Sequence, residues 1–492
     1  MPPLRLARLF AGAVLWLGAA TGFAQTLPSA TEAALRRAKL PGSALAAVVQ
    51  DVQTGERRLA WNAEMPVNPA SVFKLFTTYA ALDKLGPAWT WSTPVYVSGT
   101  LRDGVLDGSV AVKGSGDPKL VLERLWLLLR RLQQMGIHEI RGDIVLDNSA
   151  FTLPDISPAS FDGEAHRPYN VRPDALLLNY KSLTLGFLPD LVRGVATVIA
   201  EPDLAGVAID ATVPLSAGAC GDWRAGLKAT LADAGVLRFA GSYPASCAEK
   251  SWPLAYADPN SYNTRVLGKL WQEMGGRLGG KVRSGLAPAG QAPSFELSSP
   301  MLAEVVRDIN KFSNNVMAEQ VFLTLGSLAA QAAPVLPAPV ATAATPAPGS
   351  GPAASPAPAA LPPPTTEQAA RDTLRRWVQE RWGEPAARAF VVDNGSGLSR
   401  STRVSADLLA RLLQTAFASP VMPELMSSLP VSGLDGTLRR SAATAGRAHL
   451  KTGSLRDVAA VAGYVLSQSG RRWMRWCSGP STTDRRRLPP PP

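Results

Sequence analysis

The residues PASVFKL at positions 69–75 decide how the chain is organised, because they set a Ser-x-x-Lys tetrad at the start of an apolar, helix-patterned run. Asn68 can cap this helix, and Pro69 fits its first turn, where a missing N–H costs nothing. Ser71 then falls in the first turn, and Lys74 lies on the same helix face within reach of it. The apolar positions that follow predict a helix buried in a core.

A serine hydroxyl becomes a useful nucleophile only when a neighbouring base takes its proton. The Lys74 amine can be that base if part of its population is neutral, and burial, a helix N-terminus and a second cation all favour the neutral form. The tetrad supplies the first two conditions, and a distant lysine would have to supply the third. Alone, the tetrad is more typical of a capped helix with a solvated lysine.

Two further short motifs follow the tetrad along the chain. Ser313-x-Asn315 stands at the head of a predicted helix, and Lys451-Thr452-Gly453 ends a predicted strand. Each has an ordinary structural explanation by itself, a helix cap for the first and an edge lysine with a turn glycine for the second. In this order, however, the three motifs form the Ser-x-x-Lys, Ser-x-Asn and Lys-Thr-Gly set of penicillin-binding proteins and serine β-lactamases.

Patterns of apolar and turn residues predict how the rest of the chain is arranged. Residues 43–52 and 56–61 predict a hairpin before the tetrad, and residues 448–466 predict a second hairpin near the end. Apolar positions at helical spacing predict helical structure over residues 302–325. Between the tetrad helix and residue 256, short strands and turns indicate an inserted module rather than a continuation of the core.

With the segments 393–400 and 433–438, these motifs closely resemble the D-alanyl-D-alanine carboxypeptidases/endopeptidases of peptidase family S13, the class C low-molecular-mass penicillin-binding proteins of the penicillin-binding protein 4 type. The resemblance implies an α+β fold with a penicillin-binding-protein/serine β-lactamase-like core, an antiparallel sheet flanked by helices. It implies a catalytic domain of residues 25–91 and 256–474. Residues 92–255 would form a large inserted α+β module of two subdomains, which plain β-lactamases lack.

The resemblance also implies a catalytic role for four residues, in a reaction that hydrolyses D-Ala-D-Ala peptides through an acyl-enzyme. Ser71 would attack the carbonyl carbon, and Lys74 would take and return the serine proton. Ser313, helped by Lys451, would relay a proton to the leaving group. Lys451 would also be the second cation that the chemistry of Lys74 requires.

Substrate binding is implied for a second set of residues. Asn315 would hydrogen-bond the peptide, and Lys451 with Thr452 would hold the terminal carboxylate, with Gly453 next to them on the same strand. The backbone N–H groups of Ser71 and Ser454 would form the oxyanion hole. The implied partners are peptidoglycan stem peptides and crosslinks, with β-lactam antibiotics as covalent inhibitors, and neither a cofactor nor a metal is implied.

The N-terminus and the cysteines indicate an exported protein. Residues 1–24 have the pattern of a cleavable signal peptide, and their apolar run is too short to span a membrane. We therefore expect a periplasmic protein whose association with membrane or wall is at most peripheral. In an oxidising compartment Cys220 and Cys247 should pair, which leaves Cys477 unpaired.

Composition argues against several other functions. The formal net charge of +11 is modest for 492 residues, and basic patches interleaved with aromatic residues, as for nucleic-acid binding, are not evident. Three histidines without a Cys-rich cluster argue against a zinc site. His449 alternates with Leu450 on a predicted strand, which favours a structural role. The sequence has no Gly-x-Ser-x-Gly elbow, which argues against a Ser-His-Asp hydrolase.

Two segments do not fit the family pattern. Residues 329–364 are rich in Ala and Pro with almost no charge, so we expect a mobile loop or tether there. After Met474 the resemblance implies an apolar strand and a closing helix, but residues 475–492 show neither pattern. A core strand missing from inside the sheet would leave unpaired backbone groups, each costing about 1–3 kcal/mol if buried. Our hypothesis is a reading-frame shift near codon 475, with an aberrant tail and an unstable or inactive product.

Three functions therefore stand at this point. The favoured one is a serine-type D-Ala-D-Ala peptidase that penicillins acylate. The second is a serine β-lactamase, against which the insertion argues. The third is a non-catalytic cell-wall binding relative that its altered C-terminus has inactivated.

Overall fold

The computed structural model describes four ranges of the chain, residues 26–231, 235–332, 363–441 and 445–479. The predicted signal peptide and most of the Ala/Pro-rich segment lie outside these ranges. In the described part of the chain, every helix is too short or too polar to cross a membrane.

The elements fall into three consecutive groups. The first group contains α1 (Ser29–Arg37), β1 (Ala46–Asp51), β2 (Arg57–Trp61) and α2 (Lys74–Leu85). The second, within residues 92–255, contains β3 (Ser92–Arg102), β4 (Val105–Lys113), α3 (Leu122–Gln134), β5 (Glu139–Ile140), β6 (Ile144–Asp147), β7 (Ser182–Asp190), β8 (Val195–Glu201), β9 (Ala208–Ile209), β10 (Thr212–Ser216), α4 (Trp223–Gly226), β11 (Ala229–Thr230), β12 (Val236–Phe239), β13 (Tyr243–Pro244) and β14 (Lys250–Ala255). The third contains α5 (Pro259–Glu273), β15 (Arg277–Leu278), β16 (Val282–Ser284), β17 (Phe295–Ser298), α6 (Leu302–Phe312), α7 (Asn315–Ala332), α8 (Glu367–Trp382), α9 (Glu384–Ala389), α10 (Ala406–Phe417), α11 (Met422–Ser428), β18 (Ala448–Leu455), β19 (Val458–Leu466) and β20 (Arg472–Gly479).

A five-stranded antiparallel sheet joins the two ends of the chain, with the strand order β18-β19-β20-β1-β2. Both predicted hairpins are confirmed, as β1–β2 and β18–β19. Apolar side chains of α2, α6, α7, α8 and α10 pack with those of the sheet in one buried cluster. The helices thus cover the sheet, and the turn of residues 70–73 that precedes α2 lies beside β18.

The expectation that the final core strand is missing is wrong. β20 lies between β1 and β19 and pairs with both, with Trp476 opposite Val48 on one side and Ala462 on the other. Its side chains alternate, so that Met474 and Trp476 are each 1% exposed whereas Arg475 faces solvent. The strand supplies the backbone partners whose loss motivated the reading-frame hypothesis, which therefore loses its structural support. The closing helix, which was also expected to be missing, would fall on residues 480–492, and these lie outside the described residues.

The segment between residues 256 and 298 packs against the inserted module. β17 pairs with β3, β15 pairs with β5, and β16 pairs with β6. Apolar side chains of α5 belong to the module's buried cluster rather than to the core cluster. We therefore propose that the module extends from residue 92 to about Ser298. Its predicted disulfide between Cys220 and Cys247 is confirmed, with an Sγ–Sγ distance of 2.04 Å.

The stability of the protein depends on β20. Trp476→Ala should lower the free energy of unfolding by about 3–5 kcal/mol, because it removes a large buried side chain from the sheet–helix core. Arg475→Ala, at the neighbouring exposed position, should change it by no more than about 0.5 kcal/mol. Urea unfolding followed by circular dichroism measures both. Equal effects of the two substitutions would contradict the placement of β20 in the core.

Candidate active site

Gly453 approaches the backbone of the turn that carries Ser71 closely. Residues 70–73 form one 3-10 turn ahead of α2, and the Asn68 side chain accepts the N–H of Ala70 at 2.8 Å. A Cβ atom on Gly453 would lie 2.6 Å from the Pro69 carbonyl oxygen and 2.9 Å from the Ser71 nitrogen. Only a residue without a side chain lets β18 pass this close. The glycine of the Lys-Thr-Gly motif therefore sets the distance between the strand and Ser71.

Lys74 is fully buried, and its Nζ atom lies 2.9 Å from Ser71 Oγ. The same nitrogen donates to Asn315 Oδ1 at 2.6 Å and to the Ser396 carbonyl oxygen at 2.7 Å. A neutral amine has two N–H donors and one lone pair, so these two acceptors leave the lone pair to receive the Ser71 hydroxyl. The three hydrogen bonds around Lys74 Nζ can therefore all form without a third proton on this nitrogen.

Electrostatics favour this neutral amine. Burial and the nearby positive charge of Lys451 hold the pKa of Lys74 well below its ordinary value, while the Glu319 carboxyl opposes the shift. Lys451 is also fully buried, and burial lowers its pKa to about 7. The two lysines therefore stand in the arrangement that the sequence analysis required of a general base and a second cation.

A break between two helices presents the second motif. The helical region predicted over residues 302–325 consists of two helices, because Ser313 adopts a left-handed conformation with φ 57° and ψ 37°. The second helix begins at Asn315, so the predicted helix head at the Ser-x-Asn motif is confirmed. Its Oγ atom accepts a hydrogen bond from Lys451 Nζ at 2.9 Å. Asn315 donates from Nδ2 to the Tyr169 carbonyl oxygen at 2.9 Å, which directs its Oδ1 atom to Lys74. Since Tyr169 belongs to the inserted module, the module helps to form the site.

The third motif lies along β18, opposite a loop that the sequence analysis gave no role. Thr452 Oγ1 lies 2.7 Å from Thr437 Oγ1, and Lys451 Nζ donates to the Thr452 carbonyl oxygen at 2.8 Å. Lys311 holds the loop in place, because its amine donates to Asp435 Oδ2 at 2.6 Å. Ser454 follows on the same strand, where its side chain is exposed.

Two residues next to Lys74 were not singled out individually from the sequence, although Ser396 lies in segment 393–400, which carries part of the resemblance. Ser396 offers its carbonyl oxygen to Lys74, and its Oγ atom lies 2.9 Å from Oε1 of Glu319. Glu319 is buried, and burial raises its pKa to about 7. Its position four residues after Asn315 was a usable signal, because residues i and i+4 share one helix face. In the described part of the chain, no group of three His, Cys, Asp or Glu side chains is arranged to hold a metal ion.

Comparison with known proteins gives consistent matches over most of the chain. The sequence profile of the D-Ala-D-Ala carboxypeptidase 3 (S13) family matches residues 27–338 and 363–479. The match is interrupted only within the Ala/Pro-rich segment. It also runs through β20, so the expectation that the family pattern ends at Met474 is wrong.

Individual relatives cover both the core and the module. A D-alanyl-D-alanine carboxypeptidase of Actinomadura sp. (strain R39) is 26% identical over 458 residues, 89% of this chain and 78% of the relative. The D-alanyl-D-alanine carboxypeptidase DacB of Haemophilus influenzae is 23% identical over 461 residues, 91% of this chain and 88% of the relative. The crystal structure of penicillin binding protein 4 from H. influenzae superposes with a TM-score of 0.66 at 20% identity, covering 90% of this chain and 92% of that one. The fold is therefore shared with that protein.

The charge of Lys451 should be visible in the pH dependence of Ser71 acylation. If Lys74 is the base that accepts the serine proton, it must be neutral to do so, and the acylation rate should fall as pH drops through its lowered pKa. Lys451→Met removes a positive charge that lowers the pKa of Lys74. In this variant the acylation rate should therefore begin to fall at a higher pH, and its maximum at high pH should be lower than in the wild type. Stopped-flow acylation by a fluorescent penicillin between pH 5 and 9 measures both effects. Lys451→Arg, which keeps the charge, is the control, and an acid limb that does not move in Lys451→Met contradicts the electrostatic coupling.

Proposed function

Because the chain belongs to the D-Ala-D-Ala carboxypeptidase 3 (S13) family, we propose that it is a serine-type D-Ala-D-Ala carboxypeptidase, an endopeptidase, or both, acting on peptidoglycan stem peptides and crosslinks. The observation that carries the proposal is the buried Lys74 amine, 2.9 Å from the Ser71 hydroxyl. Asn315 and Ser396 occupy its two N–H groups, so its lone pair is aimed at the proton that must leave.

Acylation begins at Ser71. As its Oγ atom bonds to the carbonyl carbon, its proton passes to Lys74 and the carbonyl oxygen becomes an oxyanion. The backbone N–H groups of Ser71 and Ser454 stabilise this oxygen, an arrangement in which losing one donor typically costs about 3–4 kcal/mol of barrier. The close approach of Gly453 to the nucleophile turn supports this assignment, because it holds the two backbone segments together.

Departure of the leaving group uses Ser313 and Lys451. Ser313 gives its hydroxyl proton to the amine nitrogen as the C–N bond breaks, and Lys451, 2.9 Å away, replaces that proton. The Thr452 hydroxyl and the Lys451 charge hold the terminal carboxylate, and the adjacent Thr437 hydroxyl belongs to the same polar surface. Lys74 next gives up the proton that it took from Ser71, which restores the proton that Lys451 lost. Water then attacks the ester while Lys74 accepts a proton from it and returns that proton to Ser71 Oγ, and the shortened peptide is released.

β-Lactams fit the same proposal as covalent inhibitors, because they present a reactive carbonyl to Ser71 in place of the peptide. A β-lactamase is the weaker alternative, since the inserted module takes part in the site through Tyr169. The presence of β20 removes the reason for proposing an inactivated wall-binding relative. A periplasmic location, with at most peripheral association with membrane or wall, follows from the signal peptide that we propose for residues 1–24.

Penicillin labelling tests the assignment of the nucleophile. A fluorescent penicillin should label the purified wild type covalently, release slowly, and fail to label Ser71→Ala, because the latter has no hydroxyl to acylate. Labelling is read on a denaturing gel, and thermal unfolding confirms that the variant is folded. Labelling that survives Ser71→Ala would remove Ser71 from the mechanism.

Substrate turnover separates the alternatives. The wild type should release D-alanine from a pentapeptide ending in D-Ala-D-Ala or cleave a crosslinked peptide dimer, as measured by chromatography of the products. Rapid hydrolysis of penicillin without peptide cleavage would favour a β-lactamase. A folded wild type that neither cleaves peptide nor binds penicillin would favour a wall-binding protein.

A further inference from the structure

Glu319 is a buried acid beside the active site that the mechanism above does not use. It lies on α7 one turn after Asn315, its side chain is almost fully buried, and it forms a hydrogen bond with the Ser396 hydroxyl. The carbonyl oxygen of the same Ser396 accepts an N–H of Lys74. Glu319 therefore acts on Lys74 through one intervening residue.

The hydrogen bonds around Ser396 determine where the proton of Glu319 must be. Ser396 Oγ lies 2.9 Å from Glu319 Oε1 and 2.9 Å from Asn394 Oδ1, and it also receives the N–H of Leu398 at 3.1 Å. A hydroxyl has one proton to donate. If Glu319 is a carboxylate, Ser396 can satisfy only one of the two oxygens, and the other contact brings two unprotonated acceptors together.

The Asn394 side chain cannot relieve this conflict by turning over. Its Oδ1 atom accepts the backbone N–H groups of Ser396 and Gly397, each at 3.0 Å. Its Nδ2 atom donates to the Leu398 carbonyl oxygen at 3.0 Å. Exchanging oxygen and nitrogen would break all three bonds, so the oxygen must face Ser396 Oγ.

We propose that Glu319 is a positioning residue that carries a proton in the resting enzyme, donates it in a hydrogen bond to Ser396, and thereby keeps Lys74 in its neutral, proton-accepting form. With Glu319 protonated, a single chain of donors runs from Glu319 to Ser396 to Asn394, and each of the two contacts of Ser396 Oγ then contains one proton. The inference rests on the proposed function, because it assigns the state of the base that the acylation needs.

The neighbouring charges explain why the location of this proton matters. Lys74, Arg172 and Lys451 are the basic groups in and beside the site, and Glu367 on α8 is the other acid that acts on Glu319. Burial and Glu367 favour the neutral acid, whereas Arg172 and Lys74 favour the carboxylate. Moving the proton from Glu319 to Lys74 would create a buried ion pair and remove the lone pair that Ser71 requires. The protonated acid avoids both effects.

Two variants of Glu319 test the proposal. Glu319→Met keeps the length of the side chain without a donor, so Ser396 should shift and acylation by a fluorescent penicillin at pH 7 should slow about 10- to 100-fold. Glu319→Gln can still donate to Ser396 but cannot ionise, so it should recover most of the rate that Glu319→Met loses. Thermal unfolding confirms that each variant is folded. A glutamine variant as slow as the methionine variant, or a methionine variant as fast as wild type, would overturn the proposal.

Infrared difference spectroscopy observes the proton itself. At pH 6 the wild-type-minus-Glu319→Gln spectrum should contain the C=O stretching band of a protonated carboxyl group. Glu367→Gln is the matched control, because Glu367 accepts from Arg172 at 2.9 Å as a carboxylate and should give no such band. A carboxylate band in place of the acid band for Glu319 would refute the assignment. A wild type that penicillin does not label would instead refute the proposed function, and the infrared result would still decide the state of Glu319.

Discussion

The amine of Lys74 is fully buried and lies 2.9 Å from the Ser71 hydroxyl. Most features of the site follow from the free-energy cost of protonating this buried amine. A buried ammonium loses its hydration, so burial alone favours the free base. The positive charge of Lys451 disfavours a second positive charge on Lys74. A protonated Glu319 has no negative charge that would stabilise the ammonium form of Lys74. The helices that cover the sheet therefore act on the chemistry as well as on stability, because they exclude water from both lysines.

Backbone proximity is the second requirement of the site. Gly453 brings β18 against the Ser71 turn, and Gly397 brings the Ser396 loop to the other side of it, where a Cβ atom would lie 2.1 Å from the Ala70 carbonyl oxygen. The inserted module contributes in the same way, by offering the Tyr169 carbonyl oxygen to Asn315. Main-chain atoms of three segments that are distant in the sequence thus fix the surroundings of the Ser71 hydroxyl. Patterns of side chains in the sequence cannot predict such main-chain contacts.

That distinction explains which features could be predicted from sequence. The hairpins and the tetrad helix follow from local periodicity, and the catalytic motifs were found from spacing and resemblance. The helix head at the Ser-x-Asn motif was predicted, but the left-handed conformation of Ser313 was not, because the apolar pattern continues through that position. β20 was missed because only two buried apolar residues, Met474 and Trp476, alternate with charged and polar ones. So short an alternating pattern identifies a strand only when the strands on either side are known. Glu319 looked like one more helix glutamate until its burial was visible.

The protonation state of Lys74 is the central claim, and nitrogen NMR of the protein labelled with ¹⁵N-lysine measures it directly. The Nζ resonance is assigned by its absence in Lys74→Met and followed from pH 5 to 11. The account predicts that it titrates well below the ordinary lysine value of about 10.4. A Lys74 amine that stays protonated up to the ordinary lysine pKa would contradict the account.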